Sequence, residues 1–467
     1  MSNKGPVAYY RVDLVLDSAL SIGAADSIQT DNDVVRDGRG LPLIPATSLA
    51  GVFRSYFDEA DARVFFGRLV EDGGDLTESI VRVYDATWVS EDDASGKRSN
   101  RSISVRDGVG LEQDNKVVDT GLKFDRQVVE RGAAFRTYLE ITDCSATSCD
   151  GRPILACVED MLGALDSGAL SVGGKTSRGM GKVCITACKR ACFDLCDKED
   201  LNRWLDFDPF VGASWKSAED VELLPSSKSD ILIVLDLAQR GAVSVREYST
   251  EPRRPDFSQF YIRDTSNDGL ACDVPVIPGT SWAGAFRSRY RNIADEKRTR
   301  DLFGDVWRDE SDGGKTKTRR SRIEFSETEL RGGGWKEITR NSIDRFTGGT
   351  KDHALFKLRT YYAGTTQLRI RIRCKGESWD RQSFEALVAC IADLHNGLLV
   401  VGGLTAVGHG LFRITDAACT VGGSPLSQLD FKAALIGDGD FATPDIADLA
   451  ERLTCAVADI LERGDAA

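Results

Sequence analysis

The sequence predicts an α+β protein built as two tandem copies of one βα…ββαβ unit, and three observations carry that prediction. Residues 44–57, IPATSLAGVFRSYF, recur at 277–290 as IPGTSWAGAFRSRY. Residues 168–181, GALSVGGKTSRGMG, recur at 397–410 as GLLVVGGLTAVGHG. The two pairs keep the same order at nearly the same offset, about 230 residues, which marks a duplication. Weaker echoes fall between them: FFG at 65–67 against LFG at 302–304, and Glu130-Arg-Gly against Tyr362-Ala-Gly.

Each copy opens on an apolar strand, YYRVDLVL at 9–16 and ILIVLDL at 231–237. A polar, acidic loop follows, and then Ile-Pro-x-Thr-Ser opens a helix. Proline cannot continue a strand interior, and Thr or Ser is a good N-cap. Leu49, Val52, Phe53 and Tyr56 give the first helix an apolar face, and Trp282, Ala285, Phe286 and Tyr290 do so in the second copy. A long Gly-rich polar insertion precedes a further strand, at 136–143 and 367–374. A second helix, at 154–165 and 384–394, leads through the glycine loop to a closing strand. This order is ferredoxin-like (RRM-like).

The expected domains are 1–196 and 230–418, with 197–229 as a linker and 419–467 as a C-terminal extension. Residues 443–464 predict an amphipathic helix, with Thr443 as cap, Pro444 at its first turn, and Ile446, Leu449, Leu453, Ile460 and Leu461 facing inward.

No apolar run reaches the length of a membrane helix, and MSNKGPVAYYRVDLVL lacks a signal-peptide stretch, so a cytoplasmic, non-membrane protein is expected. The net charge of −13 excludes coating of nucleic acid by bulk charge. Local basic stripes remain: Lys97, Arg98, Arg101 and Arg106; Arg287, Arg289, Arg291, Lys297, Arg298 and Arg300; and Lys315, Lys317, Arg319, Arg320 and Arg322. Cys184, Cys188, Cys192 and Cys196 recur every fourth residue, which is not zinc-knuckle spacing; they are expected as buried reduced thiols.

A phosphate-cradling loop needs Gly-x4-Gly-Lys-[Ser/Thr]; before Gly174-Lys175-Thr176 the required glycine position is Ala169. Leu404 replaces the lysine in the second copy, so no nucleotide cofactor is expected. The glycines suit either a tight structural turn or a loop that lets a phosphate backbone come close, with Lys175, Ser177 and Arg178 adding donors. The histidines, His353, His395 and His409, all lie in the second copy, and neither HExxH nor GxSxG occurs. Catalysis would rest on carboxylates.

Ile-Pro-[Ala/Gly]-Thr-Ser-[Leu/Trp]-Ala-Gly-[Val/Ala]-Phe-Arg resembles the helix motif of the RAMP superfamily, with Ala50 and Ala283 where that motif carries lysine. Gly-Gly-x-[Ser/Thr]-x-x-Gly-x-Gly resembles its terminal glycine loop. Asp-Asn-Asp-Val-Val-Arg-Asp at 31–37 is similar to a segment of Csm-type (Cas7-like) backbone subunits of type III CRISPR effectors. So are 128–135, VVERGAAF, and the Asn341–Thr350 stretch before Leu355-Phe356.

The resemblance implies two RAMP domains with thumb hairpin insertions and a guide RNA along their palms. The RNA-binding residues it implies are Ser48, Arg54, Gly173, Gly174, Lys175, Thr176, Ser177 and Arg178. In the second copy they are Ser281, Arg287, Arg345, Gly402, Gly403, Thr405 and His409. It implies target-RNA cleavage by Asp31, with Asp33 and Asp37 as fallbacks, aided by a divalent metal, Mg2+, with no confident metal ligand set. Partners would be guide RNA, target RNA and other type III subunits, including a large Cas10-type subunit. Aligning Tyr261–Asp264 with Val34–Asp37 puts Ser258 at the Asp31 position, with Asp256 as a weaker substitute. The rival readings are a non-cleaving RNA scaffold, a CRISPR repeat-processing endoribonuclease and a small-molecule enzyme.

Overall fold

The computed structural model describes residues 5–24, 30–67, 78–89, 103–111, 118–225, 230–248, 254–264, 272–309, 315–352, 354–374, 379–426, 431–436 and 445–465. The chain divides into two compact mixed α/β units. One comprises residues 1–176 and 180–227, the other 177–179 and 228–467.

In the first unit β1 (Val7–Leu16) leads to α1 (Ala46–Arg54) and α2 (Glu59–Phe66). Short strands β2 (Val81–Val83) and β3 (Ala86–Trp88) precede a long hairpin, β4 (Ile103–Leu111) and β5 (Val118–Val129). Then come β6 (Ala134–Ile141), α3 (Ile154–Asp166) and β7 (Val183–Phe193). β1 lies between β6 and β7, antiparallel to both, and β2 and β3 pair with the far edge of β6. Val12, Leu14, Leu139 and Ile141 turn one sheet face onto Phe53 of α1 and Met161 and Leu162 of α3.

α1 opens with Pro45 at its N-cap, without a side-chain cap. Thr47 and Ser48, expected as caps, lie inside the first turn instead. The Asp85 carboxylate serves the helix start, accepting the Ala46 N–H at 2.6 Å. A carboxylate there complements the helix dipole.

The stretch expected as a linker is folded. It carries α4 (Lys198–Leu205) and β8 (Glu219–Asp220), which pairs with β7. Trp204, Phe207 and Trp215 cover Val7, Tyr9 and Phe193 on the outer sheet face. The Trp204 indole N–H donates to the Tyr9 hydroxyl at 3.2 Å. This explains why β1 begins as four consecutive buried residues before it alternates: both faces are covered there.

The second unit repeats the plan. β9 (Asp230–Arg240), β10 (Phe257–Gln259), α5 (Gly279–Ile293), α6 (Glu296–Phe303) and β11 (Ile323–Phe325) lead to a hairpin, β12 (Gly334–Arg340) and β13 (Phe356–Tyr362). β14 (Thr365–Arg373), α7 (Arg381–Asn396) and β15 (Leu411–Val421) follow. The sheet order β11-β14-β9-β15 matches β2-β6-β1-β7, and β11 pairs with β14 at the register at which β2 pairs with β6. Even the irregularity recurs: the register shifts between Asp13 and Leu14 on β1, and between Asp236 and Leu237 on β9.

β15 runs through residue 419, and α8 (Phe431–Ile436) and α9 (Ile446–Asp465) complete the same core through Phe431, Leu435, Leu449 and Leu453. The extension is therefore part of the second unit's packing. Thr443 and Pro444 lie outside the described residues. Among the described residues no helix is long and apolar enough to cross a membrane.

Candidate nucleic-acid interface

The glycine loops are the most closely repeated part of the molecule. Gly168, Gly173, Gly179 and Gly181 all have positive φ, and so do their counterparts Gly397, Gly402, Gly408 and Gly410. Lys175 and Leu404, at matching positions, both sit at φ 59°, a left-handed conformation that non-glycine residues rarely adopt. Each loop is tied to the segment after the first strand of its unit. Gly174 N–H donates to Ser21 O at 2.8 Å, and Gly403 N–H to Ser244 O at 2.7 Å. Gly181 N–H donates to Ala19 O, and Gly410 N–H to Ala242 O, both at 2.8 Å. These amides close the fold. The Gly174 and Gly403 amides are thus not among those presented to a phosphate.

What the first loop does present is Lys175, exposed, with its ammonium 5.8 Å from the centre of the Phe124 ring on β5. Thr176–Arg178 form a short 3₁₀ turn. Leu404 replaces the lysine in the second unit, where the Arg246 guanidinium approaches Gly403 instead.

The acidic loop 30–41 is zipped onto β5. Gln127 N–H donates to Asn32 O at 2.9 Å, and Gln127 Oε1 accepts the Val34 N–H at 3.3 Å. At the loop's head Asp31 and Asp125 bond reciprocally. Asp31 N–H donates to Asp125 Oδ1 at 2.9 Å, and Asp125 N–H donates to Asp31 Oδ2 at 3.0 Å. Asp31 is exposed, and among the described residues its Oδ1 has no hydrogen-bond partner.

The two fallback carboxylates shape the loop. Asp33 is buried, and its Oδ1 accepts the Thr30 N–H and hydroxyl. Asp37 Oδ1 accepts the N–H groups of Arg39 and Leu41, both at 2.9 Å, closing a tight turn.

The second unit shows where the sequence alignment slips. Val35 N–H donates to Ile22 O in the first unit, and Phe260 N–H donates to Val245 O in the second. Leu43 N–H donates to Val35 O, and Val276 N–H to Phe260 O. Phe260, not Ile262, therefore matches Val35, and the register moves by two residues. Asp256 then matches Asp31 and Ser258 matches Asp33. The carboxylate agrees: Asp256 Oδ2 accepts the Lys357 N–H at 2.7 Å, on the strand equivalent to β5. Ser258 is buried, with its hydroxyl on Gln259 O. The slip arose because the YIRD motif resembles VVRD in letters while the loop before it has a different length.

Other expected contacts have structural duties. Arg54 donates to Gly67 O at 2.8 Å and Ala62 O at 3.2 Å, holding the end of α2. Ser48 and Ser281 are half-buried in the first turns of their helices, and Arg287 Nε is buried without a hydrogen-bond partner among the described residues.

Arg106 is 7% exposed and pairs with Glu130, itself 7% exposed, at 2.6 Å. Arg289, Arg291, Arg298 and Arg300 each pair with a carboxylate. The basic stripe on α5 and α6 is thereby largely neutralised. Arg345 and Thr405 meet solvent to different degrees, Arg345 exposed in the turn beyond β12 and Thr405 half-buried.

His409 is buried, accepting from Arg340 at 3.4 Å on Nε2, with Nδ1 unpartnered among the described residues. Burial, then the nearby Arg340 and Arg246, lower its pKa. Lys97, Arg98, Arg101 and His353 lie outside the described residues.

Cys188 is buried, but Cys184, Cys192 and Cys196 are exposed, contrary to the expectation of four buried thiols. Among the described residues no group of three or more His, Cys, Asp or Glu side chains could hold a metal. No local sequence pattern marks Asp125 or Gln127, because Asp125 meets Asp31 across 94 residues of chain.

The sequence model of the RAMP superfamily matches residues 13–184 and 260–413, one region in each unit. The chain belongs to the RAMP superfamily, as a tandem of two such regions, and so to a CRISPR-associated, RNA-binding type of protein. No curated protein matches the chain.

Proposed function

We propose that the chain is a backbone subunit of a type III, III-D-like, CRISPR ribonucleoprotein effector. Each unit grips guide RNA, and the first cleaves complementary target RNA through Asp31. The observation that carries this reading is the repeated glycine loop, with four matched glycines and one matched non-glycine residue in the same left-handed conformations. Lys175 and Leu404 keep the same left-handed conformation in both halves, and in the first loop it sets an exposed lysine beside the glycines, which supports a grip on a phosphate backbone.

The sheet order, with the first strand between the third and fourth, supports ferredoxin-like domains. The β4–β5 and β12–β13 hairpins support the thumbs. Two complete loop-and-helix sets favour a backbone subunit over a repeat-processing endoribonuclease. Other type III subunits, a Cas10-type subunit among them, and a cytoplasmic location follow from the same reading.

Asp31 suits the chemistry because one oxygen is anchored and the other is open. Such a carboxylate orients a 2′-hydroxyl or accepts its proton during attack on the adjacent phosphate. Mg2+ takes one or two carboxylates together with phosphate oxygens, so Asp31 with the RNA itself would hold it and supply charge neutralisation. Asp256 is the second unit's candidate, held by the Lys357 amide.

The test is RNA that co-purifies with the protein, sequenced for CRISPR repeats, followed by a target-cleavage gel. Repeat-bearing guides and loss of a cut in Asp31→Ala are expected. Guides without any cut in the parent protein would make the chain a non-cleaving scaffold. Absence of repeat-bearing RNA would remove the effector reading.

A further inference from the structure

We propose that Asp125 is a positioning residue for Asp31, an inference that rests on the reading of Asp31 as the cleaving carboxylate. Two hydrogen bonds run in opposite directions between the same two residues. The Asp125 amide fixes Asp31 Oδ2 at 3.0 Å. The Asp125 carboxylate fixes the Asp31 backbone by accepting its N–H at 2.9 Å. The first bond sets where the carboxylate points, and the second sets where its Cα sits. Together they hold the open Oδ1 in one place.

The frame behind the clamp is firm. Asp125 lies on β5, two residues before Gln127, which binds the same loop through both its backbone and its side chain. Leu20 pairs with Val129 further along that strand. Asp125 thus ties β5 to the acidic loop at the reactive residue itself.

The second unit supplies a natural comparison. Lys357 stands at the Asp125 position and gives its amide to Asp256 at 2.7 Å. A lysine side chain has no acceptor with which to return the bond. The second carboxylate therefore has half of the clamp.

The experiment uses the intact ribonucleoprotein with its guide, a 5′-labelled complementary RNA and Mg2+, under single turnover. Asp125→Ala is expected to slow the Asp31-dependent cut about tenfold, since small misplacements of reacting groups carry losses up to about a hundredfold. Other cuts in the same RNA and the affinity for target stay unchanged. Asp125→Asn keeps an acceptor oxygen and is expected to retain the rate within about threefold.

A normal rate in Asp125→Ala, or equal losses in the two variants, overturns the proposal. So does loss of every cut together with target binding, which marks a structural role. Asp31→Ala in the same assay separates the two levels. If it cuts normally, the cleavage reading itself has failed; if it is dead while Asp125→Ala is normal, only the positioning role has failed.

Discussion

Asp256 Oδ2 accepts the Lys357 amide at 2.7 Å, as Asp31 Oδ2 accepts the Asp125 amide at 3.0 Å. The two carboxylates hold equivalent positions although the residues around them differ. Any cut made by the second unit should then depend on Asp256 and not on Ser258. Asp256→Ala is expected to remove that cut and Ser258→Ala to leave it. Mapping product ends on a sequencing gel checks this, and the opposite pattern would restore the alignment through Tyr261–Asp264.

Arg106 and Glu130 form an ion pair at the base of the first hairpin, both nearly buried, with Ser104 also donating to Glu130. Removing one partner leaves a buried charge. Glu130→Ala should destabilise the first unit by about 3–5 kcal/mol, a fall of roughly 10 °C in its melting temperature. Replacing both residues by leucine should recover most of the loss. Differential scanning calorimetry of the three proteins reads the difference.

The glycine loop offers a paired control. Gly408 and Gly410 both have positive φ, but a Cβ on Gly408 would meet open space while one on Gly410 would lie 2.1 Å from Val401 O. Gly408→Ala should cost about 1 kcal/mol, the left-handed penalty alone. Gly410→Ala adds a backbone clash and should cost well over about 2 kcal/mol. Denaturant titration distinguishes them.

His395 and His409 in the second unit both have pKa values lowered by burial, with neighbouring arginines adding to the effect. In the folded state they bind protons less readily than in the unfolded chain, whose histidines titrate near 6.5. Stability from these groups is therefore constant above that value and falls as pH drops below it. The second unit should melt at a lower temperature at pH 5.5 than at pH 7.5. His409→Gln should flatten that dependence, as melting curves at the two pH values will show.

The duplication, the family, and the opening strand, motif helix, second helix and closing strand of each copy were legible in the sequence, whereas α2, α6 and the short strands after them fold within what reads as a polar insertion. Short-range signals carry the legible elements: period-2 runs such as ILIVLDL, Pro-opened helices, and glycines needed at left-handed positions. Less legible was the stretch 197–229, whose polar composition reads as a linker while Trp204, Phe207 and Trp215 cap a sheet face. Three aromatics spread over a charged segment give no periodic pattern. The basic stripes misled for a related reason, since charge counts do not reveal that Arg106 or Arg289 already has a carboxylate partner.

By itself the sequence determined that this is a tandem RAMP protein with two glycine loops and an acidic loop near each first strand. Local composition and repetition suffice for that, because backbone conformation at glycine and proline is set within a few residues. Only the tertiary structure decided that Asp31 is the open carboxylate while Asp33 and Asp37 tie the loop, and that Asp256 rather than Ser258 is its counterpart. Those roles depend on which amide faces which carboxylate across about a hundred residues of chain. Strand register fixes that relation, and a loop of unequal length hides it from any letter-by-letter alignment.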